Sequence, residues 1–163
     1  MAEIEIGIAE MAVAKIPAVL ITRSIGSCVG IALYDPINKI GGLVHVMNPD
    51  SNIIKNNKGR KNHAKFADLA VKAMVDKMIK VGAKKKCIIA KLVGGAKMFS
   101  AVCDNSIMNI GARIVKASKT ALEVEGIDIV AEDVGRNYGR MIEFDTRNGS
   151  MKIKSIGKPV KFI

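Results

Sequence analysis

The sequence predicts an α+β protein in which packed β-sheets are flanked by helices. Short apolar runs closed by turn residues fill the first half of the chain, and two helical patterns follow in the second half. Strands dominate and do not alternate strictly with helices, which disfavours a doubly wound sheet. With 163 residues, of which 49% are hydrophobic, the chain is expected to form one domain, residues 1–163, whose core needs no disulfide or metal.

Three strands are expected before residue 50. Apolar runs at 18–22, 29–34 and 40–47 are separated by a Gly/Ser turn and by an Asp-Pro turn. The short connection between the second and third runs predicts an antiparallel hairpin. In such a hairpin, Cys28 and His45 are expected to be close to cross-strand neighbours.

Two helices are expected further along the chain. Apolar side chains recur at helical spacing over 66–78, which predicts a helix with Asn62 as its N-cap and Gly82 just after its end. A second helix is expected over 109–123, ended by Gly126. Two methionines on the first apolar stripe are expected in the core: Met74 and Met78.

The remaining segments predict strands and one polar loop. Residues 50–62 read as a mobile loop near the candidate site, and Gly94-Gly95 marks a tight turn. Asn148-Gly149 is typical of a two-residue hairpin connection. Four further strands are expected at 87–93, 127–130, 141–144 and 151–154.

Composition narrows the classes of function. The chain has three cysteines without CxxC spacing, no secretory leader pattern and no apolar stretch near the ~18 residues that span a bilayer. We therefore expect a cytoplasmic protein with free thiols and no membrane insertion. The net charge of +11 favours acidic partners, but 4% aromatic residues and no tryptophan disfavour nucleic acid. A solvated lysine-rich surface is the plainest explanation of the charge.

Cys28 is the candidate nucleophile. It follows Gly26 and Ser27, so the backbone can turn sharply and aim consecutive N–H groups at whatever the sulfur attacks. Cys87 is expected to begin a buried strand, and Cys103 lies beside a carboxylate, which disfavours a thiolate. The alternative for Cys28 is a small residue that fills space in a strand.

His45 is the candidate base, because it lies in an apolar run near Cys28 and can hold that thiol as a thiolate. A lone histidine in such a run is otherwise a satisfied core residue. His63 is expected to be solvated or to cap the first helix. One cysteine and one histidine do not complete a zinc site, so no metal is expected, and no motif implies another cofactor.

These residues stand in segments that resemble the CheD family of chemoreceptor glutamine deamidases. The resemblance runs in collinear order over nearly the whole chain. It is carried by Thr22 with Gly26-Ser27-Cys28-Val29-Gly30-Ile31-Ala32-Leu33-Tyr34-Asp35-Pro36, Gly41-Gly42-Leu43-Val44-His45-Val46-Met47, Asn48-Pro49-Asp50-Ser51, Lys65-Phe66-Ala67-Asp68, Gly94-Gly95-Ala96-Lys97-Met98-Phe99, Asn109-Ile110-Gly111-Ala112-Arg113 and Ala131-Glu132-Asp133.

The resemblance implies a catalytic trio of Cys28, His45 and Thr22, a fold similar to toxin-type cysteine deamidases, and chemoreceptors as protein substrates. Without it, Thr22 is better explained as an ordinary β-branched strand residue. The chain departs from the family pattern at Ile114 and at Arg136, which bears on partner or substrate fit more than on chemistry.

The chemistry implied is acyl transfer through a thioester, with the backbone N–H groups of Ser27 and Cys28 as oxyanion donors. Thr22 would orient the His45 ring, as the third member of such a triad does. The alternative function is a regulatory protein that binds the CheC phosphatase and modulates response-regulator dephosphorylation. Spacing alone leaves a cysteine protease or a transglutaminase open.

Overall fold

We describe the protein from a computed structural model that covers residues 1–54, 59, 61–98 and 109–163. The sequence-based prediction for Cys103 lies outside the described residues, as does much of the predicted loop at 50–62. Two five-stranded mixed sheets and two α-helices make up the described architecture. The expectation of an α+β fold with packed sheets flanked by helices is confirmed.

The first sheet has the order β1-β3-β8-β9-β10. Only β1 and β3 are parallel, and the other neighbours are antiparallel. Its strands are β1 (Ala2–Ile6), β3 (Ala18–Ile25), β8 (Arg140–Asp145), β9 (Met151–Lys154) and β10 (Lys161–Phe162).

The second sheet has the order β2-β5-β4-β6-β7 and is antiparallel except for the pair β6 and β7. The predicted hairpin is its centre. Its strands are β2 (Met11–Lys15), β4 (Val29–Asp35), β5 (Ile40–Val46), β6 (Ile89–Gly94) and β7 (Asp128–Val134).

The helices α1 (Ala67–Lys80) and α2 (Ile110–Val124) cover the outer face of the second sheet. Every residue of β4 and β5 is buried, because the first sheet packs on one face of these strands and the helices on the other. Strands covered on both faces read as continuous apolar runs, which is why both were visible in the sequence. Met74 and Met78 are fully buried, as expected.

Three details correct the sequence-based expectations. Asn62 does not cap α1, because a 3-10 turn, His63–Lys65, intervenes and the extended backbone of Phe66 precedes the helix. Cys87 does not begin a strand, since it ends the 3-10 turn Lys85–Cys87 and is half-buried. The strands β1, β2 and β10 were not predicted, being short and only partly covered.

Other expectations hold. Gly82 follows the end of α1 with φ +112°, and Gly126 follows α2 with φ +70°; both are left-handed positions that favour glycine. β8 and β9 form the predicted hairpin. Among the described residues, none of the helices is both long and apolar enough to cross a membrane.

Candidate active site

Thr22 and His45 meet between the two sheets. Thr22 lies on β3 and His45 on β5, and the neighbours two residues before them, Leu20 and Leu43, belong to the core between the sheets. The Thr22 Oγ1 atom is 2.8 Å from His45 Nδ1, and both side chains are completely buried. One hydrogen bond therefore joins the sheets at this point.

The partners of Thr22 fix the tautomer of His45. The Thr22 hydroxyl donates its single proton to the carbonyl of Ile6 over 2.8 Å, so it can only accept from the imidazole. His45 then carries its proton on Nδ1 and presents a lone pair on Nε2. That Nε2 atom is buried and has no hydrogen-bond partner in the described part of the chain.

Burial decides the charge of the imidazole. It lowers the pKa of His45 below its ordinary value of 6.5, because a buried cation loses its hydration. At neutral pH the side chain is therefore an uncharged base with a free lone pair. This is a suitable state for taking a proton from a nearby group.

Cys28 lies in the bend just before β4, the strand that pairs with the strand of His45. The hairpin register places Gly30 opposite His45, and Cys28 precedes Gly30 by two residues. A Cβ atom on Gly30 would approach Ile142 Cδ1 to 2.6 Å, which shows that this face looks into the layer between the sheets. The sulfur itself is half-buried at the edge of that layer.

Two glycines hold the turn that carries the sulfur. Gly95 N donates to Cys28 O over 2.8 Å, and Ala96 N donates to Gly26 O over 3.0 Å. A Cβ atom on Gly94, where φ is +115°, would collide with Cys28 O. Any side chain at Gly94 would therefore displace the candidate nucleophile.

The carbonyls of Gly26 and Cys28 are bound in this turn, whereas two of its N–H groups have no backbone partner among the described residues. Within those ranges, neither Ser27 N–H nor Cys28 N–H donates to a backbone carbonyl. The Cys28 N–H interacts with its own thiol and lowers the pKa of Cys28, so this donor lies near the sulfur. Donors placed this way suit an oxyanion.

Burial disfavours the ionised form of the Cys28 thiol. Burial raises the pKa of Cys28 above its ordinary value of 9.0, and the hydrogen bond from its own N–H offsets only part of this shift. Together with the lowered pKa of His45, this favours a neutral thiol and a neutral imidazole over the thiolate pair that the sequence predicts.

Arg140 braces the turn region, and sequence reasoning missed it. Its side chain is fully buried, with Nε 3.2 Å from Asp133 Oδ2, Nη1 donating to Gly135 O over 3.0 Å, and the guanidinium 4.7 Å from the centre of the Tyr138 ring. Gly135 N in turn donates to Gly94 O over 2.9 Å. Arginine opening an apolar run was the one available signal, and it is a weak one.

The other candidates have no hydrogen-bond contact with Thr22 or His45 among the described residues. Cys87 is in the 3-10 turn before β6, and His63 is exposed in the turn before α1. No group of three or more potential metal ligands occurs among the described histidine, cysteine and acidic residues.

A buried imidazole and hydroxyl that meet between two packed mixed sheets, with a cysteine in the bend before the neighbouring strand, define an α+β protein with a candidate cysteine-histidine site. The chain matches the model of the family described as CheD chemotactic sensory transduction over residues 47–155. Because this match covers more than half of the chain, the chain belongs to the CheD family.

Relatives extend the match over the candidate site, which precedes residue 47. The chain is 50% identical over 160 residues to the probable chemoreceptor glutamine deamidase CheD of Caldanaerobacter subterraneus subsp. tengcongensis, covering 98% of this chain and 97% of that protein. It is 46% identical to the proteins of the same name from Lachnoclostridium phytofermentans (98% of each chain) and Moorella thermoacetica (99% and 95%). A Bacillus licheniformis hypothetical protein, YfiH, aligns with a TM-score of 0.47 and 18% identity over 76% of this chain and 49% of that one, which bears on neither fold nor function.

Proposed function

We propose that this protein is a protein-glutamine deamidase that converts glutamine side chains of chemoreceptors to glutamate and releases ammonia. Family membership and the names of the full-length relatives support this assignment. The observation that carries the chemistry is the buried His45, whose Nδ1 is held by Thr22 and whose Nε2 has no partner in the described ranges, on the strand that pairs with β4, which Cys28 precedes.

In the first half of the proposed reaction, Cys28 Sγ attacks the carboxamide carbon while His45 Nε2 takes the thiol proton. A carbon–sulfur bond forms and the carbonyl oxygen becomes an oxyanion. The N–H groups of Ser27 and Cys28 stabilise that charge, each contributing about 3 kcal/mol in comparable sites. The intermediate then collapses, its carbon–nitrogen bond breaks, and the proton on Nε2 leaves with ammonia.

In the second half, water hydrolyses the thioester. Neutral again, His45 Nε2 takes a proton from the water as its oxygen attacks the thioester carbon. The carbon–sulfur bond breaks, the proton returns to the sulfur, and the side chain leaves as glutamate. No external oxidant, metal or cofactor enters this balance.

Thr22 acts as a positioning residue in this scheme. Its hydroxyl keeps the imidazole in the tautomer that presents Nε2, as the third member of a triad does. A neutral hydroxyl stabilises the imidazolium less than a carboxylate would. We therefore expect a modest rate constant for the chemical step.

Mass spectrometry of a receptor cytoplasmic fragment tests the function. Incubation with the wild-type protein should raise the mass by about 1 Da at each modified glutamine, the difference between amide and acid in this acyl transfer. Cys28→Ala should leave the fragment unchanged, and Cys87→Ala, the matched control, should act like the wild type. Unmodified glutamines after long incubation with the wild-type protein would overturn the proposal.

The proposed setting follows from the substrate. Chemoreceptors carry the target glutamines on cytoplasmic helices, so we place the enzyme in the cytoplasm as a single deamidase domain, residues 1–163. The family resemblance also supports the CheC phosphatase as a partner. A chain that only regulated CheC would leave receptor glutamines unmodified with or without Cys28, and Cys28→Ala would keep CheC binding. For an enzyme that also binds CheC, Cys28→Ala abolishes deamidation and keeps CheC binding.

A further inference from the structure

A groove of about 620 Å³ runs along α2 beside the candidate site. One end of it is formed by Gly95, whose N–H binds the Cys28 carbonyl. Its apolar floor includes Val115 of α2 and Val134 of β7. We call it the basic groove, because four of its lining residues are cationic: Lys97, Lys116, Lys119 and Arg136.

The described lining residues of the basic groove do not balance its charge. Among them, Glu123 is the one carboxylate. Lys119 is engaged by Glu132 at 2.9 Å, but among the described residues Lys116 and Arg136 have no ion-pair partner. Three of the four cations, these two and Lys97, therefore face the groove without a counter-ion on the described chain.

A second groove shows that this imbalance is local. It has about 710 Å³, lies between α1 and α2, and is lined by three cations and three carboxylates. Lys116 lines both grooves, so the cations that belong to the basic groove alone are Lys97, Lys119 and Arg136. Cations outnumber carboxylates among the described lining residues only in the basic groove.

Arg136 adds an independent sign. Its φ is +64°, in the left-handed region where glycine is at ease, and it follows Gly135 with φ +81°. A side chain there is strained relative to glycine. Arg136 is exposed and lies at the mouth of the basic groove, so the strained backbone presents a guanidinium to solvent beside the site.

We propose that the basic groove docks an acidic, amphipathic helical segment of the receptor next to the glutamine being modified. This rests on the proposed function and names where its substrate is held. The apolar floor suits an apolar stripe, and Lys97, Lys116 and Arg136 suit carboxylates on the flank of such a helix. The end of the groove at Gly95 would deliver a neighbouring side chain to the sulfur.

The test compares two double variants with equal change of charge. Lys97→Glu/Arg136→Glu alters two cations that line the basic groove and not the second groove, and Lys77→Glu/Lys80→Glu alters two exposed lysines on α1. Each pair lowers the net charge by four, two units per residue. Deamidation of a helical receptor fragment is followed by mass spectrometry, and the affinity of the fragment is titrated against the same variants carrying Cys28→Ala.

We expect the groove variant to raise KM and the dissociation constant about tenfold, with kcat within about twofold, since exposed ion pairs contribute up to about 1 kcal/mol each. The α1 variant should match the wild type. Equal KM values in both double variants, or an equal rise in both, would overturn the docking proposal. Absence of deamidation by the wild-type protein would instead overturn the proposed function.

Discussion

Two buried threonines, one at each end of the layer between the sheets, use their hydroxyls differently. At the end remote from Cys28, Thr146 Oγ1 accepts from Ala18 N and donates to Ala18 O, each over 2.9 Å, and its carbonyl accepts from Tyr34 Oη over 2.9 Å. At the Cys28 end, Thr22 Oγ1 donates to a carbonyl but accepts from an imidazole.

The difference separates a network whose polar atoms are all paired from one that ends in an unpaired atom. Every polar atom that Thr146 contacts is satisfied, whereas the Thr22 network ends in His45 Nε2. In the described ranges, only His45 Nε2 and Arg140 Nη2 are buried side-chain atoms without a partner, and both lie at the Cys28 end. An unsatisfied buried polar atom costs about 1–3 kcal/mol, so its retention indicates a task other than stability.

The largest effect on kcat should come from removing the imidazole that carries His45 Nε2. His45→Gln should lower kcat by about 1,000-fold or more, because loss of the base stops both proton transfers. Ammonia release from a receptor fragment measures it, with the melting temperature confirming the fold. A variant that keeps a tenth of the wild-type rate would show that His45 is a core residue without a catalytic role.

The second-largest effect on kcat is expected from Thr22, and variants of the two threonines form a matched pair. Thr22→Val should lower kcat about 10- to 100-fold through loss of ring orientation, and Thr22→Ser should restore most of it. Thr146→Val should leave kcat unchanged but lower the free energy of unfolding by about 2 kcal/mol, because Ala18 N–H and C=O lose their partner. Steady-state kinetics measures kcat, and denaturant titration measures the free energy of unfolding of both variants. Equal changes of both quantities in Thr22→Val and Thr146→Val would contradict the difference between the two threonines.

The pH dependence of kcat/KM should reflect the same site. Burial lowers the pKa of His45, so the acidic limb should lie below pH 6.5, and burial raises the pKa of Cys28, so the basic limb should lie above pH 9.0. Each limb changes the rate about tenfold per pH unit. An acidic limb above pH 6.5 would contradict a neutral resting pair.

Protonation of His45 should also change the free energy of unfolding. Because the folded pKa of His45 is lowered, the unfolded chain binds the proton more readily, and stability falls as the pH drops below 6.5. His45→Gln should remove this contribution. Melting temperatures of both proteins between pH 7 and pH 5 provide the measurement.

The smallest effect is expected at the structural end. Tyr34→Phe removes the hydrogen bond to Thr146 O but keeps the ring, which meets Phe144 edge to face at 5.8 Å. The free energy of unfolding should fall by about 1 kcal/mol, with kcat unchanged. Denaturant titration beside a kinetic assay detects both, and any loss of kcat would show that the two ends are coupled.

The hydrophobic pattern of the sequence predicted the central hairpin and both helices. The hairpin strands are buried on both faces, and each helix is buried along one apolar stripe. It missed β1, β2 and β10, which are short edge strands, although β1 alternates apolar and acidic residues. Thr22 gave no signal of its own, since its position depends on Ile6 and on a strand of the other sheet. Arg140 left only a weak signal, because Asp133 and Gly135 are brought to it by the connection between β7 and β8 rather than by local spacing.

Alkylation of the native enzyme tests most directly the central claim that Cys28 is the nucleophile of the deamidation. Partial treatment with iodoacetamide, followed by peptide mapping of each cysteine, relates modification to remaining activity. We expect activity to fall in proportion to modification at Cys28 and to be independent of modification at Cys87. Full deamidase activity in protein completely alkylated at Cys28 would contradict it.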